Sequence, residues 1–225
     1  MQPRDRLVVA VDLSTRDEIL RTVEQLSGVA GVFKIGLQAF IANGPSIVRE
    51  VVATGEKVFL DLKIHDIPNT AKHAIAEVAS LGVSIATVHT AGGEAMLQSC
   101  AHDSVLVLGV TVLTSLNETD LLQIGFGGNA TENAVRLAML AQSSGLRGVV
   151  ASPLEIAPIR EACGPDFVVL TPGIRPAGSD VGDQRRTMTP REAIAAGADY
   201  IVVGRPITGA VDPRSAALKI VEEMV

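Results

Sequence analysis

Eight short apolar runs, separated by helix-like segments, predict a (β/α)8 barrel spanning residues 1–225. Three features carry that expectation. Strand-like and helix-like segments alternate along the whole chain with no break in composition. The runs are apolar at successive positions, as in parallel strands covered on both faces, rather than apolar at every second position. Polar and charged residues gather where the runs end, which in a closed barrel is a single rim.

The runs are LVVAVDL (7–13), VFKIG (32–36), KVFLDLK (57–63), IATVH (85–89), VLVLGVT (105–111), GVVAS (148–152), FVVLTPG (167–173) and YIVVG (200–204). Each connection is long enough for the crossover helix that parallel strands need. Ser14 or Thr15 is placed to cap a helix from Asp17 to about Leu26, with Glu18 completing a capping box. Pro68 suits the first turn of NTAKHAIAEVASLG, which stops at Gly82, and Asp212 with Pro213 opens the terminal helix. Two connections exceed one helix, at 114–134 and 173–189. A doubly wound open sheet has the same periodicity, but no GxGxxG follows the first run and no Walker A pattern occurs. GFGGN (125–129) follows no strand directly and reads as a loop.

Composition excludes several functions. The net charge is −6, 47% of the residues are hydrophobic, and there is no Trp, one Tyr and five Phe. A single-strand nucleic-acid binder needs a basic groove and stacking aromatics, and neither is expected here. Mean hydropathy is high at +0.34, yet no apolar run approaches the roughly 18 residues of a membrane span. The short, Asp12-interrupted run after MQPRDR does not read as a signal peptide. Cys100 and Cys163 stand apart without CxxC spacing, so we expect reduced thiols and a cytoplasmic setting. Among the 19 basic residues only five are Lys.

Charges inside strands are costly unless paired, so their positions are informative. Asp12, Lys34, Asp61, Lys63 and His89 fall at or near strand ends, as do Thr111, Thr114, Arg175 and Arg205. FLDLKIHDIPNT (59–70) is the densest group. Asp61 and Lys63 are two apart, which on a regular strand turns both to one face, and Asp66 follows in the loop. With Lys34 these make two carboxylates and two ammoniums, a set able to hold buried charge and deliver a proton from a fixed lysine. An ion-pair lattice closing the barrel is the structural alternative. His65 and His89 show no HxH or HExxH spacing, so no metal site is expected. His73, His102 and Lys72 read as solvated helix positions. The segments after strands 7 and 8, TPGIRPAGSDVGDQRR and VVGRPIT, suit a phosphate site. There Gly204 allows close backbone approach and Arg205 offers a fork for a dianion. The loop around 175–189, with Gln184, Arg185 and Arg186, suits a lid over that phosphate.

VAVDLS, FKIG, DLKIHDIPNT, TVLTS, PGIR and IVVGRPI, in this order along essentially the whole chain, resemble the orotidine 5′-phosphate decarboxylase family in its compact prokaryotic form. DxKxxD alone is shared with related decarboxylases and aldolases; DxKxxDIPxT together with the strand-2 lysine is specific. The resemblance implies a (β/α)8 homodimer with shared sites that converts orotidine 5′-phosphate to UMP and CO2 without metal or organic cofactor. It makes Lys63 the proton donor to C6, with Asp61 beside the substrate carboxylate and Lys34 and Asp66 completing the charged set. Asp66, Ile67 and Thr70 then serve the partner's pocket. Asp12 and Lys34 bind ribose hydroxyls, and Thr114 or Ser115 faces the pyrimidine edge. Gln184, Gly204 and Arg205 hold the phosphate, with Arg175 at the base of the lid. Related magnesium-dependent enzymes are similar in DxKxxD but carry a carboxylate where this chain has Lys34. A non-catalytic nucleotide binder would not need the Lys34–Asp61–Lys63–Asp66 set.

Overall fold

A computed structural model describes residues 1–176 and 187–225. Eight parallel strands close into a barrel in sequence order: β1 (Leu7–Ala10), β2 (Val32–Gly36), β3 (Val58–Ile64), β4 (Ile85–His89), β5 (Leu106–Val110), β6 (Gly148–Val150), β7 (Val168–Thr171) and β8 (Tyr200–Val203). β8 pairs back onto β1 through Ile201 opposite Leu7, which leaves no open edge. Between the strands lie α1 (Arg16–Leu26), α2 (Leu37–Asn43), α3 (Pro45–Ala53), α4 (Pro68–Ser80), α5 (Glu94–Cys100) and α6 (Glu118–Gln123). They are followed by α7 (Ala130–Ser143), α8 (Ile156–Cys163), α9 (Pro190–Ala195), α10 (Arg205–Thr208) and α11 (Pro213–Glu223).

Helix starts follow their side chains. Thr15 accepts from the Glu18 backbone N–H to cap α1, and Asp212 does the same for Ser215 in α11. The long connection after β5 holds α6, and GFGGN ends in Asn129, which caps α7 in a capping box with Glu132. His102 differs from its expectation. It lies in the loop after α5, because that helix stops at Cys100.

Two apolar shells explain the hydropathy. Inward residues Val8, Val32, Phe59, Ile85, Leu108, Val150, Leu170 and Val202 fill the barrel, while Val9, Phe33, Ile35, Val149 and Ile201 pack outward against helices. Phe59 and Phe33 are at most 1% exposed, and each buried side chain of this size stabilises the fold by about 2 kcal/mol. At the opposite end of the barrel from the charged rim, Arg160 ties α8 to the next two strands. Its guanidinium donates to the carbonyls of Gly164, Pro165, Phe167 and Gly197 and to Asp199 Oδ2.

Most strands end a residue or more short of the apolar runs that encode them. β1 stops at Ala10, before Asp12, and β7 at Thr171, before Pro172 and Gly173. Just beyond those points Asp12, Pro172 and Gly173 line the cleft described below. β3 departs further. Its pairing with β4 runs Leu60 opposite Ala86 and then jumps to Ile64 opposite Val88, so three β3 residues face Thr87 alone.

Candidate active site

Register puts the charged residues together. Lys34 lies beside Ala10 of β1 and Phe59 of β3, and Asp61 lies beside Gly36 of β2. Lys34 Nζ donates to Asp12 Oδ1 at 2.9 Å and approaches Asp61 Oδ2 at 3.9 Å; Lys63 Nζ donates to the same Asp61 oxygen at 2.8 Å. Asp12, Lys34, Asp61 and Lys63 thus form a row of alternating charge. Lys34 is only 8% exposed, and its flanking carboxylates offset the cost of desolvating its ammonium.

Gly36 makes room for this row. A Cβ there would lie 2.6 Å from Asp12 Oδ1 and 2.8 Å from Lys34 Nζ. Lys63 meets Asp61 by a route that strand alternation does not describe. It has φ +51°, the only positive φ outside glycine among the described residues, so the chain turns at Lys63 within the bulge. Its N–H donates to Thr87 Oγ1 at 3.0 Å, and that hydroxyl donates to Asp61 Oδ1 at 2.9 Å.

The row borders two cavities. One, about 160 Å³, is walled by Phe59, Val110, Val112, Val150, Leu170 and Val202, with Lys34, Asp61, Lys63 and Thr114 at its polar side. The other, about 380 Å³, is lined by Asp12, Lys34, Gln38, Arg175, Gly204, Arg205 and Thr208. They share Lys34, Pro172 and Val202, so they are two lobes of one cleft. The turn Pro172–Gly173 (φ +80° at Gly173) delivers Arg175, whose N–H donates to Met188 O at 2.9 Å. One lobe is apolar with a charged edge; the other carries two guanidiniums. That division suits a flat ring joined to an anionic tail.

Among the expected site residues, Asp12, Lys34, Asp61, Lys63, Thr114, Arg175, Gly204 and Arg205 line this cleft. Ser115 is exposed and lines neither lobe, so Thr114 is the residue that faces the cleft. Asp66, Ile67 and Thr70 are all exposed at the start of α4, outside both lobes. The Asp66 carboxylate accepts from the Ile67 N–H at 2.7 Å. Gln184, Arg185 and Arg186 lie outside the described residues. Gly36, Gln38, Thr87 and Thr208 were not singled out from the sequence. Gly36 ends FKIG, and Thr87 is the one hydroxyl within the apolar run IATVH.

His65 and His89 stack with ring centroids 5.5 Å apart. Burial, then His65 and Lys63, hold the His89 imidazole below its usual pKa, which keeps it neutral at pH 7. Its Nδ1 is buried with no hydrogen-bond partner among the described residues. No group of three or more His, Cys, Asp or Glu side chains suited to a metal ion occurs among the described residues. Nor is any described helix long and apolar enough to cross a membrane.

Fold and cleft together define a (β/α)8 barrel enzyme with a carboxylate–ammonium row next to a lobe that carries two guanidiniums. A profile of the Orotidine 5′-phosphate decarboxylase / HUMPS family matches residues 5–220. Orotidine 5′-phosphate decarboxylase of Moorella thermoacetica is 49% identical, covering 100% of this chain and 94% of that protein. The enzyme of the same name from Heliobacterium modesticaldum is 48% identical, covering 100% and 97%. The crystal structure of orotidine 5′-phosphate decarboxylase from Lactobacillus acidophilus superposes with a TM-score of 0.86 at 36% identity, covering 97% of this chain and 98% of that one. The chain belongs to the orotidine 5′-phosphate decarboxylase / HUMPS family, and it is an enzyme, a decarboxylase of the carbon–carbon lyase class.

Proposed function

We propose that this chain converts orotidine 5′-phosphate to UMP and CO2 in pyrimidine biosynthesis, with Lys63 protonating C6 and with neither metal nor organic cofactor. The observation that carries this reading is the row Asp12–Lys34–Asp61–Lys63 at the junction of the apolar and cationic lobes.

The pyrimidine occupies the apolar lobe, with its edge at Thr114 and its C6 carboxylate at Asp61. The C6–carboxylate bond breaks, CO2 departs, and the electron pair remains on C6. The Lys63 ammonium stabilises that developing charge and then gives it a proton, becoming an amine that recovers a proton from water. This attraction grows as the charge forms, so it acts on the transition state more than on the substrate. Asp61 beside a substrate carboxylate opposes the charged ground state and keeps the ammonium in place. Asp12 and Lys34 bind the ribose hydroxyls. Gly204, Arg205 and Gln184 take the phosphate, with Arg175 at the base of the loop around 175–189. The row is internally neutral, with two ammoniums for two carboxylates, so it has no surplus of anionic ligands to recruit a divalent cation.

Asp66, Ile67 and Thr70 act in the site of a second copy, which makes the working unit a homodimer. The support is their position: Ile67 is 67% exposed, and Asp66 is exposed and lines neither lobe of its own chain's cleft. The free, buried thiols of Cys100 and Cys163 suit the reducing cytoplasm. The test is the loss of orotidine 5′-phosphate absorbance with purified protein in EDTA. Full turnover is expected; a strict magnesium requirement would transfer the chain to a metal-dependent branch.

A further inference from the structure

The β3 bulge sets a problem that strand pairing does not solve. Asp61, Leu62 and Lys63 face one β4 residue, and Lys63 has a left-handed backbone that is unfavourable for a non-glycine residue. Something must hold the bulge in register, because both ends of the Asp61–Lys63 ion pair hang from it.

Thr87 is the residue opposite. It is fully buried, and its hydroxyl has one proton to give and lone pairs to accept. Both capacities are used on the bulge: Oγ1 accepts from the Lys63 N–H and donates to Asp61 Oδ1. One hydroxyl therefore holds the turned backbone of Lys63 and the carboxylate of Asp61. Asp61 Oδ2 is left for the two lysines, at 2.8 Å from Lys63 and 3.9 Å from Lys34. We infer that Thr87 is a positioning residue for decarboxylation, clamping the β3 bulge so that the Lys63 ammonium and the Asp61 carboxylate meet the substrate in reactive geometry. It touches no substrate atom in this reading and acts only through Asp61 and Lys63.

The inference rests on the function proposed above, and the experiment separates the two. Wild-type protein, Thr87→Val and Thr87→Ser are compared for orotidine 5′-phosphate turnover, with active sites counted by stoichiometric UMP binding so that only folded protein is rated. Valine preserves the shape and removes the hydroxyl; serine keeps the hydroxyl. Wild type without activity refutes the proposed function. With wild type active, Thr87→Val is expected to lose about 10- to 100-fold in kcat, the scale of a misplaced catalytic group, with KM and UMP affinity little changed. Thr87→Ser is expected to stay close to wild type. The inference is overturned if Thr87→Val keeps the wild-type kcat, or if serine fares no better than valine. It is equally overturned if the loss appears in KM and UMP affinity, or if Thr87→Val forms no UMP-binding sites, since a purely structural role predicts those outcomes.

Discussion

Lys63 combines two unusual properties at one position, a left-handed backbone and an ammonium bonded to the carboxylate two residues before it. Replacing it with alanine removes the proposed proton donor while leaving the cationic lobe untouched. Lys63→Ala is therefore expected to lower kcat by roughly 10³-fold or more, with UMP affinity, read by calorimetry, largely retained. Normal decarboxylation by that variant would remove Lys63 from the role of proton donor. Gly36 is the complementary case, a residue with no side chain whose emptiness is used. The methyl group of Gly36→Ala would contact both Asp12 Oδ1 and Lys34 Nζ, which are free to shift but not without leaving the row. Turnover is expected to fall about 10- to 100-fold with the thermal midpoint little changed. A large drop in midpoint with normal kcat per folded site would instead make Gly36 a packing residue. The sequence already marked Asp12, Lys34, Asp61 and Lys63 as charges against the apolar pattern. It did not mark Gly36 or Thr87, because their parts depend on which strand lies alongside.

The elements divide by how local their causes are. β2 and β4 span the runs read from sequence, whereas β1, β5, β6, β7 and β8 stop short of theirs. Composition cannot tell a strand residue from one lying just past the strand end. The capped helices are the more local case, since the cap and the N–H it accepts are three residues apart. Asp212 Oδ1 accepts from Ser215 N–H at 3.0 Å at the start of α11, which buries Ala217 and Ile220. Asp212→Ala is expected to lower stability by about 1 kcal/mol, seen as a reduced urea midpoint with an unchanged slope. No change in midpoint would mean that water or Pro213 already secures that helix end. The β3 bulge is the opposite extreme. Nothing within VFLDLKI announces it, since alternation alone places Asp61 and Lys63 on one face; the interruption arises from pairing with β4.

At the scale of the molecule, the cleft of one chain holds four alternating charges but not Asp66, Ile67 or Thr70, which lie exposed on the adjoining rim. If a second copy supplies these residues, two different inactive chains should repair each other. A heterodimer of Lys63→Ala and Asp66→Ala chains has one site with both defects and one with neither. Mixing the two after dissociation and reassociation is expected to restore activity towards half the wild-type value per heterodimer. Heterodimers demonstrated by mass spectrometry but lacking activity would refute shared sites.

Closure of the barrel is seen in the pairing of β8 with β1, whereas the sequence by itself determined the element order, the strand ends at which polar residues collect and the four charges of the row. These follow from periodicity, capping and the cost of burying charge, which act over a few residues and leave a trace in composition. Tertiary structure alone decided the rest: the left-handed turn at Lys63, the Thr87 hydroxyl bridging it to Asp61, the space reserved at Gly36 and the place of Asp66 outside its own cleft. Each depends on the register between strands separated by a crossover helix. That register is set by barrel closure, and no local pattern of residues encodes it.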